Sequence, residues 1–347
     1  MYSRSTKYSS KILIVSNQKE DGYADFIVDA FCRNFDSDVL YTKSNNEKLY
    51  FFDRILNKLN IELDKSDLNM KIIRAIFEKK YKIIIIVKGN RIYPWTLRKI
   101  KEAIPHIKLI SWSADNMSKW HNKSFMYHYG VNYYDAVFCT NIPDYRNIEN
   151  FCYKPVFYFD KRAEFDFHTP VLTKDKSYED SVVFIGSYEK ERAQDLNFLA
   201  NNGIKIDIFG NGWDRAKRYC HNNLNITIGE LKGKDYVTVI SSAKITLGFL
   251  RRINKDTQTS RTFEIPACGG FMLMEKSQDH LRLFIDGEEA VFFDNKRDLL
   301  RKLRYYLGHD LERISISKKG REKVESGRFF FDDLTYEMVE LIDQVES

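Results

Sequence analysis

The sequence predicts an α/β protein made of two doubly wound, Rossmann-like domains. In the first half, apolar runs of strand length alternate with segments that carry apolar residues at helical spacing. The alternation stops at 160–181, a stretch with many charges, a proline and no periodicity, and it restarts at 181–187. Strands separated by helices are typical of βαβ units in parallel sheets, so we expect two such sheets facing across a cleft.

The strands of the first domain are predicted from their uninterrupted apolar character. KILIVS (11–16) and YKIIIIVKG (81–89) lack polar alternation, which is typical of strands buried on both faces of a sheet. The other predicted elements of this half are strands at 38–42, 107–113, 134–141 and 154–159 and helices at 23–35, 48–60, 66–80 and 95–104.

The second half of the chain repeats the pattern. Its predicted strands are 181–187, 204–210, 225–229, 244–250, 271–274 and 290–293, and its predicted helices are 189–202, 234–243, 277–285, 297–307, 311–325 and 333–345. We therefore expect domains at 1–165 and 166–330, followed by a C-terminal helix within 331–347.

Composition limits the classes of function. A chain of 347 residues is long enough for two domains, and 43% hydrophobic with 30% charged residues is the balance of a globular protein. The net charge of +6 suits an anionic ligand or occasional contact with an acidic membrane surface, and it falls short of what a dedicated nucleic-acid binder carries. No apolar run reaches the length of a membrane span and the N-terminus lacks a signal-peptide core, so we expect a cytoplasmic protein.

Several cofactor chemistries are disfavoured by missing motifs. The chain has no GxGxxG and no P-loop, which argues against a dinucleotide oxidoreductase or a kinase. Its five cysteines form no CxxC pair, and His106, His121 and His128 lack metal-ligand spacing with acids or cysteines. We expect no metal site and no cofactor.

The loop after the strand at 244–250 has the composition of an anion site. It reads RRINKDTQTSRTFE and brings together guanidinium groups and hydroxyls, which are groups that bind a diphosphate. The candidate residues are Arg251, Arg252, Thr259, Ser260 and Arg261. A merely solvated, charged loop is the alternative, and the position at a strand end ahead of Gly269 and Gly270 favours the binding site.

Glu264 and its neighbours mark the end of this loop. One carboxylate can accept hydrogen bonds from both hydroxyls of a ribose, so Glu264 is a candidate ribose ligand. The alternative is an acid in the first turn of a helix, where it complements the helix dipole. Pro266 suits a first helical turn, and Gly269 and Gly270 are expected to end that helix.

Two other strand ends in the second half carry candidates for nucleotide binding. Gly186 and Ser187 end a strand where backbone N–H groups can meet a phosphate, and Arg192 could reach the same anion from the following helix. An exposed helix cation is the alternative for Arg192. Gly210 suits a turn beside the base, whereas Trp213 is expected to lie in the core.

The first domain offers an acid at a strand end. Asp115 follows the strand at 107–113 and could act as a general base toward an acceptor hydroxyl. The alternative is an aspartate that caps a helix beginning in NMSKW. Asp21 and Gly22, which follow the first strand, could approach a sugar.

Two doubly wound domains of this kind occur in GT-B glycosyltransferases, in sugar-nucleotide epimerases of the same build and in some two-domain binding proteins. Motifs in the second half resemble the C-terminal module of the CgeB-like, group 1 glycosyltransferases. They are FIGSYEKER (184–192), IFGNGW (208–213), AKITLGF (243–249), the stretch from Asp256 through FEIPACGGFML (263–273), LFIDGEEAVFF (283–293) and RKLRYYLGHDLER (301–313). In the first half the resemblance is weaker and rests on SWSADNMSKW (111–120), YDAVFCTN (134–141) and VFYFDKRAEFDFHTP (156–170).

The resemblance implies a GT-B-like fold and a metal-independent glycosyltransferase that moves a sugar from a nucleoside diphosphate to an acceptor hydroxyl. Related retaining enzymes carry two acids separated by seven residues, which here correspond to Asp256 and Glu264. By resemblance Glu264 would bind the donor ribose, Asp256 would face the donor sugar, and Arg261 with the preceding arginines would neutralise the departing diphosphate. The first acid of the pair is usually glutamate. Here it is Asp256, whose side chain is one methylene shorter, and the retaining outcome depends on that residue. Similar transferases also pack the C-terminal helix on the first domain, and we expect the same here.

The donor and the acceptor stay open. UDP-, GDP- and dTDP-linked sugars all fit the expected site, and the acceptor would be a glycan, a lipid-linked sugar or a protein in surface glycan or glycoconjugate synthesis. Two other functions stay open as well: a sugar-nucleotide epimerase or hydrolase of the same fold, and a nucleotide-sugar-binding module without catalytic activity.

Overall fold

The computed structural model describes residues 11–16, 22–41, 56, 60–119, 122, 124–171 and 178–345. Asp21, His121 and most of the helix predicted at 48–60 lie outside the described residues. Contacts divide the chain into two compact units: unit 1 is Met1–Asp160 with Phe331–Ser347, and unit 2 is Lys161–Phe330. Within the described part of the chain, no helix is both long and apolar enough to cross a membrane.

A parallel six-stranded sheet forms the centre of unit 1. Its strands are β1 (Ile12–Ser16), β2 (Ser37–Tyr41), β3 (Ile83–Val87), β4 (Lys108–Ser113), β5 (Ala136–Cys139) and β6 (Val156–Tyr158). Their order across the sheet is β2-β1-β3-β4-β5-β6. The helices before the unit boundary are α1 (Tyr23–Asn34), α2 (Leu68–Glu78), α3 (Pro94–Ala103), α4 (Phe125–Gly130) and α5 (Ile142–Ile148).

The apolar strands of unit 1 are buried on both faces, as their composition predicts. Successive side chains of a strand point to opposite faces of the sheet. One face of β1 and β3 packs against α1 through residues such as Phe31. The other face packs against α2 and α3 through Ile72 and Leu97. Both faces therefore need apolar side chains, which explains the absence of polar alternation.

Unit 2 contains a second parallel six-stranded sheet. Its strands are β7 (Val182–Ile185), β8 (Ile206–Gly210), β9 (Leu224–Ile228), β10 (Ile245–Gly248), β11 (Met272–Glu275) and β12 (Val291–Phe293). Its helices are α6 (Lys190–Asn201), α7 (Gly233–Ser242), α8 (Arg261–Ala267), α9 (Gln278–Leu283), α10 (Lys296–Leu307) and α11 (Asp310–Ser326). One face of the sheet packs on α6 and α10, and the other packs on α7 and α8.

The strand order of unit 2 contains a topological switch point. The order is β12-β11-β10-β7-β8-β9, so the chain moves from β7 to one side and later returns to the other side at β10. The loops after β7 and β10 consequently leave the sheet in opposite directions. In open parallel sheets, the crevice at the carboxyl ends of such strands is where ligands bind.

The last helix, α12 (Phe331–Gln344), belongs to unit 1 and packs against α1. An Arg33–Asp332 ion pair of 2.8 Å joins the two helices. The boundary before unit 2 falls after Asp160, earlier than the expected boundary between 165 and 166. The reason is that Ala163 forms a parallel bridge with Phe330 at the far end of unit 2.

Three local expectations need correction. The short helices α4 and α5 occupy segments for which no helix is predicted. Pro266 lies inside α8 near its end and does not occupy a first turn, because the helix already begins at Arg261. No helix begins at residues 116–119, where turns and a bend follow Asp115, so the capping interpretation of that aspartate is wrong.

Candidate active site

A pocket of about 150 Å³ lies at the switch point of unit 2, where the carboxyl ends of β7 and β10 meet. Its lining residues are Phe184, Ile185, Gly186, Ser187, Arg192, Gly248, Phe249, Arg251, Thr259 and Arg261. The structure thus brings together three of the predicted segments, which are the end of β7, the start of α6 and the basic loop after β10.

Glycines let the ends of β7 and β8 approach closely beside this pocket. A Cβ atom on Gly210 would lie 2.1 Å from the carbonyl oxygen of Gly186, so only glycine fits there. The Gly186 N–H donates to the Phe209 carbonyl at 2.8 Å, and the indole N–H of Trp213 donates to the Gly186 carbonyl at 2.9 Å. Gly210 does not line the pocket. It lets the end of β8 pack closely against Gly186, which does line the pocket. Trp213 lies in the core, as expected.

Arg192 is a buried cation at the edge of the pocket. Only 6% of the residue is exposed, and its guanidinium lies 5.2 Å from the ring centroid of Phe184. Its Nη1 donates to the carbonyl oxygen of Ser187 at 2.5 Å. Its Nε is buried and has no hydrogen-bond partner among the described residues. A buried N–H without a partner is costly, and an anion in the pocket would satisfy it.

The pocket is positively charged. Burial lowers the pKa of the Arg192 guanidinium, the charges of Arg251 and Arg261 lower it further, and Glu189 and Glu275 oppose them. These two acids pair with two arginines of the loop. Arg251 lies 3.4 Å from Glu189, and the mostly exposed Arg252 lies 3.6 Å from Glu275. The residues that line the pocket include three arginines and no acid, so the pocket attracts an anion.

Side chains from the next strand and helix anchor the basic loop. The Leu250 N–H donates to the Glu275 carboxylate at 3.1 Å, and the Ser277 hydroxyl donates to the Thr257 carbonyl at 2.5 Å. The Thr257 hydroxyl in turn donates to the carboxylate of Asp279. These hydrogen bonds hold the loop in place, as a preorganised binding site requires. Binding of an anion by this loop stays a prediction.

A buried hydrogen-bond chain connects Thr259, which lines the pocket, to a histidine. The Thr259 N–H donates to the hydroxyl of Thr262 at 3.1 Å, and that hydroxyl lies 3.0 Å from Nε2 of His280. Nδ1 of the ring lies 2.8 Å from the carbonyl of Glu275, which can only accept, so the proton sits on Nδ1 and Nε2 accepts. Burial lowers the pKa of His280 to about 4, so the ring is neutral near pH 7. The sequence offered Thr262 only as one of the hydroxyls of the basic loop, and sequence reasoning missed His280.

Glu264 lies behind the pocket and does not line it. Its carboxylate accepts a hydrogen bond from the Tyr236 hydroxyl, and it lies 3.7 Å from Nη1 of Arg261 and 3.9 Å from Nε2 of His168. Burial raises the pKa of the Glu264 carboxyl, but Arg261, His168, Tyr236 and Ser260 together bring the pKa below its ordinary value. The ribose contact expected for this acid stays a prediction.

Ser260, Asp256 and Asp115 occupy three different settings. The Ser260 hydroxyl accepts a hydrogen bond from Arg261 at 2.9 Å and so supports the pocket from outside. Asp256 is partly exposed, and its N–H closes the turn by donating to the Arg251 carbonyl at 3.2 Å. In unit 1, Asp115 follows β4 and lies 2.8 Å from the amine of Lys88.

Among the described residues, no group of three or more His, Cys, Asp or Glu side chains could hold a metal ion.

Solved structures with the same two-sheet architecture cover nearly the whole chain. Sucrose-phosphate synthase from Thermosynechococcus elongatus is 12% identical with a TM-score of 0.67, over 96% of this chain and 98% of that one. Anabaena HepE in complex with UDP-glucose is 13% identical with a TM-score of 0.66, over 96% and 99%. The fold is GT-B. The predicted fold class is therefore confirmed, with two parallel sheets flanked by helices.

Two further comparisons bear on this GT-B chain. An α-glucosyltransferase in complex with UDP and a 13-mer DNA is 12% identical with a TM-score of 0.67, over 97% of this chain and 100% of that one. The profile of a family described as glycosyl transferase-like matches residues 192–330, which begin at the buried arginine of the pocket and end with unit 2. No curated protein sequence matches the chain significantly.

Proposed function

We propose that this chain is a glycosyltransferase that uses a nucleoside diphosphate sugar as donor and binds the diphosphate in the pocket of unit 2. The observation that carries the proposal is the cationic pocket at the switch point, where Arg192 and Arg261 present buried Nε groups without partners among the described residues. The glycosyl transferase-like profile over residues 192–330 supports it, as do GT-B structures determined with UDP or UDP-glucose.

The chemistry of the pocket suits a departing diphosphate. Negative charge grows on the diphosphate as the bond to the sugar breaks, and fixed guanidinium groups stabilise that charge without reorganising. The arginines occupy the electrostatic role that a divalent metal fills in other transferases, so we propose metal-independent transfer. The backbone N–H of Ser187, at the end of β7, can approach a phosphate, whereas the N–H of Gly186 already donates to the Phe209 carbonyl.

Finer assignments belong to the same proposal. Asp256 would face the donor sugar and support a retaining reaction, as the resemblance to CgeB-like enzymes implies. Asp115, which lies 2.8 Å from the amine of Lys88, would serve as a base toward the acceptor if the reaction were inverting. The acceptor would be a glycan, a lipid-linked sugar or a protein.

A donor screen followed by product analysis tests the proposal. Thermal unfolding of the protein is measured with UDP-, GDP-, dTDP- and CMP-sugars, and the donor that raises the midpoint is then supplied radiolabelled with candidate acceptors. A new glycoside supports transfer. Altered or released free sugar would instead indicate an epimerase or a hydrolase, and binding without turnover would indicate a binding module.

A further inference from the structure

A buried carboxylate links a tyrosine to the diphosphate pocket. Glu264 is 5% exposed. Its Oε2 atom accepts a hydrogen bond from the Tyr236 hydroxyl and lies 3.7 Å from Nη1 of Arg261. On the other side, Nδ1 of His168 accepts the N–H of Glu164 at 2.8 Å. The neutral His168 ring therefore carries its proton on Nε2, the atom that faces Glu264. The carboxylate is enclosed by protein groups that orient it.

Arg261 depends on the same tyrosine in a second way. Its guanidinium lies 5.6 Å from the ring centroid of Tyr236, within the range of a cation–π contact. Its Nη1 also donates to the Ser260 hydroxyl at 2.9 Å. The buried Nε has no hydrogen-bond partner among the described residues, although Arg261 lines the pocket. The contacts of Nη1 and of the guanidinium face thus fix the orientation of the guanidinium beside the pocket.

We propose that Tyr236 is a positioning residue of the diphosphate site, which acts through the Glu264 carboxylate to hold the Arg261 guanidinium in its binding orientation. The inference rests on the proposed function, since it names how one cation of that site is oriented. The hydroxyl donates to Glu264, Glu264 attracts Nη1 of Arg261, and the phenol ring supports the guanidinium face. Tyr236 itself, on α7, does not line the pocket.

The test uses inorganic pyrophosphate, which contains the diphosphate and no ribose. The substitution Tyr236→Phe keeps the ring under Arg261 and removes only the hydroxyl. We expect its affinity for pyrophosphate, measured by isothermal titration calorimetry, to fall by roughly tenfold, because one charge-assisted hydrogen bond of the orienting chain is lost. Glu264→Gln interrupts the same chain without removing the side chain and should give a similar loss. A ribose contact of Glu264 could not explain that loss.

A matched control is available in the same unit. Tyr305 donates its hydroxyl to Glu312 at 2.9 Å, which is the same kind of pair on an exposed surface. Tyr305→Phe should bind pyrophosphate as the parent does. The unfolding midpoint of every variant is measured as well, so that affinities are compared only among folded proteins. If Tyr236→Phe does not fold, Glu264→Gln provides the test of the orienting contact.

A double-mutant cycle separates positioning from a general structural effect. In the Arg261→Ala background, Tyr236→Phe should cause no further loss of affinity, because the group that it positions is gone. Equal losses in both backgrounds, or unchanged affinity in the single variant, would overturn the inference and leave the proposed function standing. A parent protein that binds neither pyrophosphate nor any nucleoside diphosphate would overturn the proposed function as well.

Discussion

Each sheet places the first strand of its unit between two other strands, and the two sheets differ at their carboxyl edges. In unit 1, β1 lies between β2 and β3, and in unit 2, β7 lies between β8 and β10. After β10 and β7 the chain places a group of arginines around a pocket, and two of them have buried Nε groups without partners in the described residues. After β3 it places Lys88, whose amine is neutralised by Asp115 at 2.8 Å.

This difference shows which part of the function comes from the fold and which from the side chains. Parallel doubly wound topology creates a crevice at a switch point in each unit. Only in unit 2 do the described residues give that crevice several cations and a loop anchored by Glu275, Ser277 and Asp279. The topology therefore provides the location, and the residues at the strand ends decide whether an anion binds there.

The largest effect is expected from removing the pocket arginine of α8. Arg261→Ala should lower kcat by about a hundredfold to a thousandfold, because the guanidinium stabilises charge that grows in the transition state. Steady-state rates with the donor found in the screen provide the measurement. Arg301→Ala is the matched control, since Arg301 is exposed and paired with Asp298 at 2.6 Å on α10 of the same unit. Equal rates for both variants would place the diphosphate elsewhere.

The next effect concerns binding rather than rate. Arg192→Gln should weaken binding of the free nucleoside diphosphate by roughly tenfold to a hundredfold, since charge-assisted hydrogen bonds from a buried group are lost. Arg192→Lys keeps the charge without the planar fork and should fall between the parent and Arg192→Gln. Calorimetric titration measures both. An unchanged affinity in Arg192→Gln would mean that this arginine only supports the end of β7.

A pH effect is expected in unit 2 from His280. Its folded pKa, about 4, lies below the ordinary value of 6.5 because the ring is buried, so the unfolded chain binds more protons between these values. The free energy of unfolding should consequently fall as the pH drops through this window, by about 2 kcal/mol between pH 7 and pH 5 from this group. Urea unfolding at both pH values checks this. His280→Gln should remove that part of the pH dependence, and an unchanged dependence would refute the assignment.

The smallest effect is expected in unit 1. Lys88→Ala should leave the affinity for nucleoside diphosphates unchanged, because the Lys88 amine already pairs with Asp115 and belongs to the sheet without the arginine pocket. The same titration that measures the Arg192 variants measures this one. A loss as large as that of Arg192→Gln would show that both sheets contribute cations to the nucleotide.

Sequence alone predicted the sheets well because their strands are chemically distinctive. Runs such as IIIIV in β3 and the apolar residues of β7 must be buried on two faces, and few structures other than a central parallel strand allow that. Helices α4 and α5, which are six and seven residues long, were missed. Helices of about two turns or fewer show little of a helical period, and the equally short α9 was predicted only over the longer range 277–285. The expected strand at 134–141 covers only Ala136–Cys139, since Asn141 caps α5.

The candidate site was predictable in its types of residue and less so in its contacts. Arginines and hydroxyls after a buried strand indicated an anion site. Burial of Arg192 could not be read from a helix that begins KER, because an exposed cation has the same local pattern. Tyr236, His168 and His280 contact the site through side chains distant in sequence, and such contacts follow from the way helices pack on the sheet, which a local pattern does not contain.

The most direct test of the central claim is a crystal structure of the protein with the nucleoside diphosphate that binds in the donor screen. We expect the diphosphate to lie at the carboxyl ends of β7 and β10, within hydrogen-bond distance of the guanidinium groups of Arg192 and Arg261 and beside the backbone of Ser187. A diphosphate bound at the carboxyl edge of the sheet in unit 1, or one that leaves both arginines without a contact, would contradict it.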